Sequence, residues 1–242
     1  MDQNNAEFIL ETNEEMANAI RRSANEIEIL AIDEVEIHKN DSALYDEVLA
    51  HRLGLVPLQA TKKLEVFKEG DKPSTKNQAQ IHIKIQGPGI VYSGDIKGEV
   101  KPVYDKIPLV ILGKDQELEL IAFARLGCGK EHAKYSPGLV YYRNISEIVV
   151  KNPEKSIEIL KKIEKSLTSP LKEKIKSGEV YKSTRDIDYL ENFSEGGDIE
   201  VRPGKEVVMF IESWGQKDPK EIFNESVKTL NHNLKGLLKA LK

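Results

Sequence analysis

The sequence predicts an α+β fold, a strand-rich middle set between two helix-bearing ends. Three observations carry this. Ile81, Ile83 and Ile85 alternate with His82 and Lys84, the period of two that buries one face of a strand. Met16, Ala19 and Ile20 share one face of a short helical pattern near the start. Phe223, Val227, Leu230, Leu234, Leu237 and Leu241 follow at steps of four, three, four, three and four, a heptad seam. At 242 residues the chain is long enough for one or two domains with real cores.

Taken in order, residues 7–11 have strand character. Asn13 can cap the helix that follows, with Glu14 and Glu15 at the positive end of its dipole and Arg21 and Arg22 at the other. Residues 26–37 read as extended, with β-branched Ile27, Ile29, Ile32, Val35 and Ile37. A second helix, capped by Asp41 or Ser42 and lined by Leu44, Val48 and Leu49, stops at Gly54. The first 58 residues hold too few apolar faces to close a core alone.

Residues 61–142 are strand-rich, with a polar stretch at 68–80 that reads as a mobile loop. Gly87-Pro88-Gly89 ends the isoleucine strand, and Ser93-Gly94-Asp95 is expected to join 90–92 to 96–100 as a hairpin. Two more strands, 109–112 and 118–125, flank a turn at 113–116. Residues 156–167 are amphipathic through Ile157, Leu160, Ile163 and Leu167; a shorter helix follows Pro170, and 195–198 reads as a linker. Residues 199–201 and 207–211 return to strand character about a Pro203-Gly204 turn. Asp218-Pro219-Lys220-Glu221 supplies a cap, a proline at the first helical position and a capping-box glutamate. A helix from Pro219 to Lys242 would run about 36 Å. It either packs wholly against its own domain or offers its seam to a partner, and a seam that reaches the last residue favours a partner.

Composition narrows the function. Hydrophobic residues are 39% and charged residues 31%, the balance of a charged globular chain. Apolar runs such as 107–112 and 207–211 reach five or six residues, against the roughly 20 of a membrane span. Residues 1–11 lack the basic start and apolar stretch of a signal peptide. Cys128 stands alone, so the chain by itself forms no disulfide, no four-cysteine zinc site and no iron–sulfur cluster. The expected place is the cytoplasm, with no membrane partner. Thirty-six Lys and Arg against 40 Asp and Glu leave a net charge of −4. Direct DNA binding is not expected, because phosphate neutralisation calls for a basic surplus.

No catalytic constellation emerges. Gly127-Cys128-Gly129-Lys130 departs from the phosphate-loop pattern at Ala124 and Glu131. Cys128 and His132 could act as nucleophile and base in a stand-alone enzyme, yet no third group is visible to orient them. His38, His51, His82, His132 and His232 lack metal-ligand spacing, and no carboxylate pair stands out. No catalytic residue and no metal ligand is assigned.

Several motifs resemble a known family. Asn18-Ala19-Ile20-Arg21-Arg22 and Ile32-Asp33-Glu34-Val35-Glu36-Ile37 look like the opening of the α-type assembly subunits of multisubunit RNA polymerases. Asp46-Glu47-Val48-Leu49-Ala50-His51-Arg52-Leu53-Gly54-Leu55-Val56-Pro57-Leu58 is similar to their archaeal and eukaryotic branch. Tyr92-Ser93-Gly94-Asp95, Gly129-Lys130-Glu131-His132-Ala133-Lys134-Tyr135-Ser136-Pro137-Gly138 and Phe210-Ile211-Glu212-Ser213-Trp214-Gly215 extend the likeness along nearly the whole chain. Each motif alone is weak, but together, in this order, they are specific, and the length matches the archaeal D-type members.

The resemblance implies a discontinuous dimerisation domain, 1–45, 142–150 and 199–242, interrupted by a strand-rich insert domain at 46–141. A small cysteine-free helical module, 151–198, occupies the place of the ferredoxin-like domain of some archaeal relatives. With Cys128 alone, neither the iron–sulfur cluster of those relatives nor the zinc site of eukaryotic ones is expected. Family members pair with a smaller α-like subunit, L, recruit the small subunits N and P, and form the platform for the large catalytic subunits. The chain would thus belong to a nucleotidyltransferase while holding none of its catalytic groups. Met16, Ala19, Ile20, Phe223, Val227, Leu230, Leu234, Leu237 and Leu241 fall to the dimer interface. His51, Arg52, Lys130, Glu131, His132 and Tyr135 fall to docking on a large subunit. Two readings compete: the Cys128/His132 enzyme, and a homodimer built through the last helix, as in bacterial α subunits.

Overall fold

The computed structural model describes residues 3–67, 70–150, 181–183 and 199–241. The expected helices within 156–175, the linker at 195–198, and Lys68 and Glu69 of the polar stretch lie outside these residues. The fold is α+β and strand-rich. In chain order its elements begin with β1 (Asn5–Leu10), α1 (Glu14–Ser23), β2 (Glu28–Asn40) and α2 (Asp46–Gly54). There follow β3 (Leu58–Ala60), β4 (Ala79–Gln86), β5 (Gly89–Tyr92), β6 (Lys97–Gly98), β7 (Val100–Pro102), β8 (Pro108–Leu112) and β9 (Glu117–Cys128). The described chain ends with β10 (Gly138–Val150), β11 (Tyr181–Ser183), β12 (Ile199–Ser213) and α3 (Pro219–Ala240). It divides into two compact units, one of Met1–Ala6, Ile20–Val140 and Ile211–Lys242, the other of Glu7–Ala19 and Tyr141–Phe210.

The first unit is organised by β9, which pairs antiparallel with β2 on one side and β4 on the other, with β6 beyond β4. The isoleucine alternation shows why. Ile81 stands opposite Ala122, Ile83 opposite Leu120 and Ile85 opposite Leu118, so one face of both strands is apolar. Ile81, Ile83, Leu118 and Leu120 are fully buried there, together with Leu49 and Leu53 of α2. In the second unit the sheet runs in the order β1-β12-β10-β11, and Tyr141 and Phe210 stack at 4.8 Å.

Several local expectations need correction. The α2 helix begins at Asp46, later than caps at Asp41 or Ser42 would place it. Asp41 Oδ2 instead accepts from Glu117 N at 3.0 Å, and Ser42 donates its N (3.1 Å) and Oγ (2.6 Å) to Asn40 Oδ1. Both side chains are committed to closing the end of β2. Val48 faces solvent, while Leu49 and Leu53 form the buried side. Ser93–Asp95 makes a 3₁₀ turn without closing a hairpin. Ser93 Oγ donates to Tyr104 O and accepts from Ile107 N (3.1 Å), and Gly94 N reaches Asp105 O at 2.9 Å. The turn is thereby stitched to the 104–107 loop. The β5 strand pairs with β8, β6 with β4, and β7 with β3.

The polar stretch contains a hydrogen-bonded turn: buried Asn77 accepts from Ser74 N and Oγ and donates to Lys72 O at 3.1 Å, and Ala79 and Gln80 already belong to β4. Pro203-Gly204 makes no turn either, because β12 runs unbroken. Gly204 serves close approach, since a Cβ there would stand 2.8 Å from Ile145 O of the neighbouring strand. At α1, Asn13 Oδ1 accepts from Met16 N at 3.0 Å, the expected cap. At α3, Asp218 Oδ1 accepts from Lys220 N at 2.8 Å, while Glu221, expected in a capping box, pairs with Lys217 at 3.1 Å.

The α2 assignment has a direct consequence. Leu49→Ala should lower unfolding stability by about 2–5 kcal/mol, and Val48→Ala by less than about 0.5 kcal/mol. Urea denaturation of the two variants separates these outcomes, and equal losses would contradict the assigned buried face.

Candidate functional site

The strand β2 carries a bulge. Ile32 stands opposite Ala124 and Glu34 opposite Phe123, which leaves Asp33 as an extra residue without a partner on β9. The bulge re-aims its carboxylate. Oδ2 accepts from Arg125 Nε at 2.7 Å, and Oδ1 accepts from Lys134 Nζ at 2.7 Å and Tyr135 Oη at 2.9 Å. Arg125 continues to Glu131 at 3.2 Å and lies over the rings of Phe67 and Tyr135. Burial raises the pKa of Asp33, but the hydrogen bonds from Arg125, Lys134 and Tyr135 outweigh it and hold the carboxyl at about 2. Burial, followed by the Asp33 carboxylate, pushes the Tyr135 phenol upward.

This network fixes the Gly129–Gly138 motif as a loop on the first unit. The six expected docking residues, four on this loop and two on α2, divide. His51 and Arg52 are exposed at the end of α2, where Arg52 Nη2 donates to Pro108 O at 3.0 Å. Lys130, Glu131 and His132 are also exposed: Lys130 pairs with Glu26 at 2.6 Å, and His132 Nδ1 accepts from Lys134 N at 3.1 Å. Tyr135, by contrast, is 1% exposed. Its ring fills the space above Gly127, where a Cβ would come within 2.7 Å of it, so Tyr135 is a buttress and not a contact residue. The Cys128/His132 couple is not assembled as nucleophile and base. The thiol lies 3.6 Å from Glu131 Oε1, and His132 caps the 3₁₀ turn at Ala133–Tyr135.

A cleft of about 760 Å³ opens beside this loop. Leu55, Val56 and Pro57 form one wall, Tyr104 and Ile107 another, Ala133 and Lys134 a third, and Glu212 to Trp214 with Gln216 the fourth. Thus three of the motifs that carry the family resemblance meet at one place. Backbone and amide bonds lock them together: Trp214 N donates to Pro137 O (3.3 Å), Val103 N to Pro57 O (2.9 Å), and Gln216 Nε2 to both Leu30 O (2.9 Å) and Leu58 O (2.8 Å). Reading the sequence missed Asp33, Arg125 and Gln216 as the residues that make this junction.

The expected dimer residues are graded along α3. Ile222 and Ser226 are its buried side, so Phe223, Val227 and Leu230 are only half-buried. Leu234 is 46% exposed, Leu237 56% and Leu241 75%, and Leu238 beside them is also exposed. Among the described residues the last tie is Asn233 Nδ2 to Glu26 Oε2 at 2.9 Å. On α1, Met16 is exposed, Ala19 intermediate and Ile20 buried; the buried side is formed by Ala17 and Ile20.

Because the folded carboxyl titrates below its ordinary value of 3.8, Asp33 contributes stability that is complete above that value. The contribution is lost as pH falls toward about 2. Asp33→Asn should cost about 1–2 kcal/mol at pH 7 after allowance for solvent screening. Urea titrations at pH 7 and pH 3 should show the gap between wild type and variant narrowing in acid. A gap that stays constant with pH would refute the ion-pair account.

The family model described as the RNA polymerase Rpb3/RpoA insert domain matches residues 35–140. DNA-directed RNA polymerase subunit Rpo3 of Thermococcus kodakarensis is 38% identical over 223 residues, 88% of this chain and 84% of the relative. The Rpo3 subunit of Pyrobaculum calidifontis is 32% identical over 237 residues, 93% of this chain and 88% of the relative. That of Methanothermobacter thermautotrophicus is 49% identical over 130 residues, about half of each chain. Similarity over more than four-fifths of both chains in two of these relatives fits the motif order and the insert-domain match alike: the chain belongs to the family of archaeal DNA-directed RNA polymerase subunit Rpo3.

Proposed function

We propose that the chain is a non-catalytic assembly subunit of a multisubunit DNA-directed RNA polymerase. The observation that carries this reading is the leucine stripe on the outer half of α3, exposed from Leu234 to Leu241. Water-facing leucines at heptad spacing on a 22-residue helix are a surface awaiting cover, each side chain gaining about 1–2 kcal/mol when covered. The cover is a smaller α-like subunit, L, so the active form is a heterodimer. N and P and the two large catalytic subunits then assemble on it. The discontinuous layout belongs to the same reading: 1–45, 142–150 and 199–242 build the dimerisation domain around an insert at 46–141, with 151–198 as an added module. Supporting it are the sheet order β1-β12-β10, which draws strands from both ends of the sequence, and the insert-domain match at 35–140.

His51, Arg52, Lys130, Glu131 and His132 are the large-subunit contacts in this proposal, with Tyr135 holding their loop. The chain works without a metal or cluster of its own, in keeping with its single thiol, and in the cytoplasm. Among the described residues no helix is long and apolar enough to cross a membrane. It touches no DNA directly, in keeping with the net charge of −4.

Charges placed on the stripe test the proposal. Leu234→Asp with Leu237→Asp should weaken association with the α-like partner at least 100-fold, about 2.7 kcal/mol, while leaving the melting temperature of the chain itself unchanged. Sedimentation of the mixed subunits measures this. Unchanged heterodimer affinity would remove α3 from the interface.

A further inference from the structure

The two ends of α3 differ in charge as well as in burial. The start mixes signs, with Lys217 paired to Glu221 and to Glu225, each at 3.1 Å. Between Ser226 and Leu241 the sequence holds Lys228, Lys235 and Lys239 and no acid. At 3.6 residues per turn, Leu234, Leu237, Leu238 and Leu241 share one face. Lys235 and Lys239 stand on one side of that face, Lys235 one turn from Leu238, while Asn233, Gly236 and Ala240 stand on the other. Both lysines are exposed, and among the described residues neither has an ion-pair partner. The acids near the helix lie at its other end. Glu26 accepts from Asn233 and is held by Lys130 at 2.6 Å, and Glu28 and Glu225 gather with Lys217 and Lys228 about a small polar cleft. A cation in the last turn suits the helix dipole, which accounts for the sign of Lys239 but not for the absence of acids along the whole outer half.

This one-sided charge selects the occupant of the leucine stripe. In an antiparallel pair of helices like edges face each other, so a second copy of this chain would set its lysines against lysines. In a parallel pair the lysine side would meet Asn233, Gly236 and Ala240, which carry no charge. Neither direction supplies a carboxylate. Resting on the assembly role proposed above, we infer that Lys235 and Lys239 are specificity residues of this surface: they admit a helix whose apolar stripe is bordered by aspartate or glutamate, and they disfavour a second copy of this chain. The leucines provide the affinity and the lysines the choice, because apolar area alone does not tell one greasy helix from another. An anionic membrane is a poorer match. Between Ser226 and Leu241 the chain has no Trp, Tyr or Phe to seat the helix among headgroups.

The test mixes the full chain with the smaller α-like subunit and follows self-association and heterodimer affinity by sedimentation. Wild type should pair with itself more weakly than with that subunit by roughly tenfold or more, and the heterodimer should weaken as salt rises. Lys235→Glu with Lys239→Glu should weaken the heterodimer by roughly tenfold or more at low salt and reverse its salt dependence, so that salt strengthens it. Lys235→Gln with Lys239→Gln puts no negative charge at the helix end; it should weaken the heterodimer by about threefold and flatten the salt dependence. A purely structural role for the lysines would move melting and leave the salt dependence as it is. Heterodimer affinity within twofold of wild type in both variants, or a salt dependence that neither changes, overturns the inference and leaves the assembly role standing. Wild type that pairs with itself as tightly as with the α-like subunit overturns it as well. A wild-type chain that forms no heterodimer overturns the assembly role and the selection with it. Binding to phosphatidylserine vesicles that both variants abolish, with heterodimer affinity intact, overturns the inference in favour of a membrane surface.

Discussion

One extra residue in β2 organises the face of the first unit that carries the family motifs. Were β2 regular, Asp33 would have a partner on β9 and its side chain would follow the strand's alternation. The bulge removes it from the ladder and lets one carboxylate collect three donors from two places, Arg125 on β9 and Lys134 and Tyr135 on the loop after it. The competition is between desolvation, which favours the neutral acid, and those donors, which favour the anion. The donors win, as the carboxyl's position at about 2 records. Each ion pair alone, partly open to water, contributes below about 1 kcal/mol. Their convergence on one atom pair fixes a geometry that no single pair would hold.

The loop so fixed forms a wall of the cleft, and the strand-to-helix connection at 212–216 forms another. Gln216 is the less obvious of the two ties. Its amide spans the carbonyls of Leu30 and Leu58, one in β2 and one in β3, so the chain entering α3 is bonded to the sheet that holds Asp33. The helix then divides its length. Its first turns are nucleated by Asp218 and Pro219 and buried through Ile222 and Ser226; beyond Asn233 every described residue faces water. An isolated helix of some ten residues is marginal in water, because nucleation is costly. Continuity with the anchored half supplies that nucleus, so the leucine stripe can stay helical before anything covers it.

The sequence made the regular parts legible. Period-two isoleucines gave β4 its buried face, and the steps of α3 gave its seam, because each pattern is local and repeated. The cap at Asn13 and the start at Asp218 were legible for the same reason. Partner choice was not. Ser93-Gly94-Asp95 signals a turn correctly, but whether the strands beside it pair depends on Tyr104, Asp105 and Ile107, which recruit the turn from a distance. The caps assigned to Asp41 and Ser42 failed in the same way, through bonds to Glu117 and Asn40. The bulge had left a trace: apolar Ile32 and Val35 are spaced by three, which breaks the parity of a regular strand. Tyr135 falls among the expected contact residues only through its place in the Gly129–Gly138 motif. The absent side chain of Gly127, which makes room for its ring, is visible only in three dimensions.

The exposed stripe on α3 bears on how an assembly subunit works. The α3 stripe is leucine with little else, the character of a permanent interface that resembles a core cut in half. Such a surface suits a subunit whose partner is fixed early, since exposure of bare leucine is a hazard until it is covered. The stripe continues a helix whose first turns are anchored by Ile222 and Ser226, so it does not have to nucleate at the moment of binding. That prior order lowers the entropic cost of association and makes the scaffold useful before any catalytic subunit arrives.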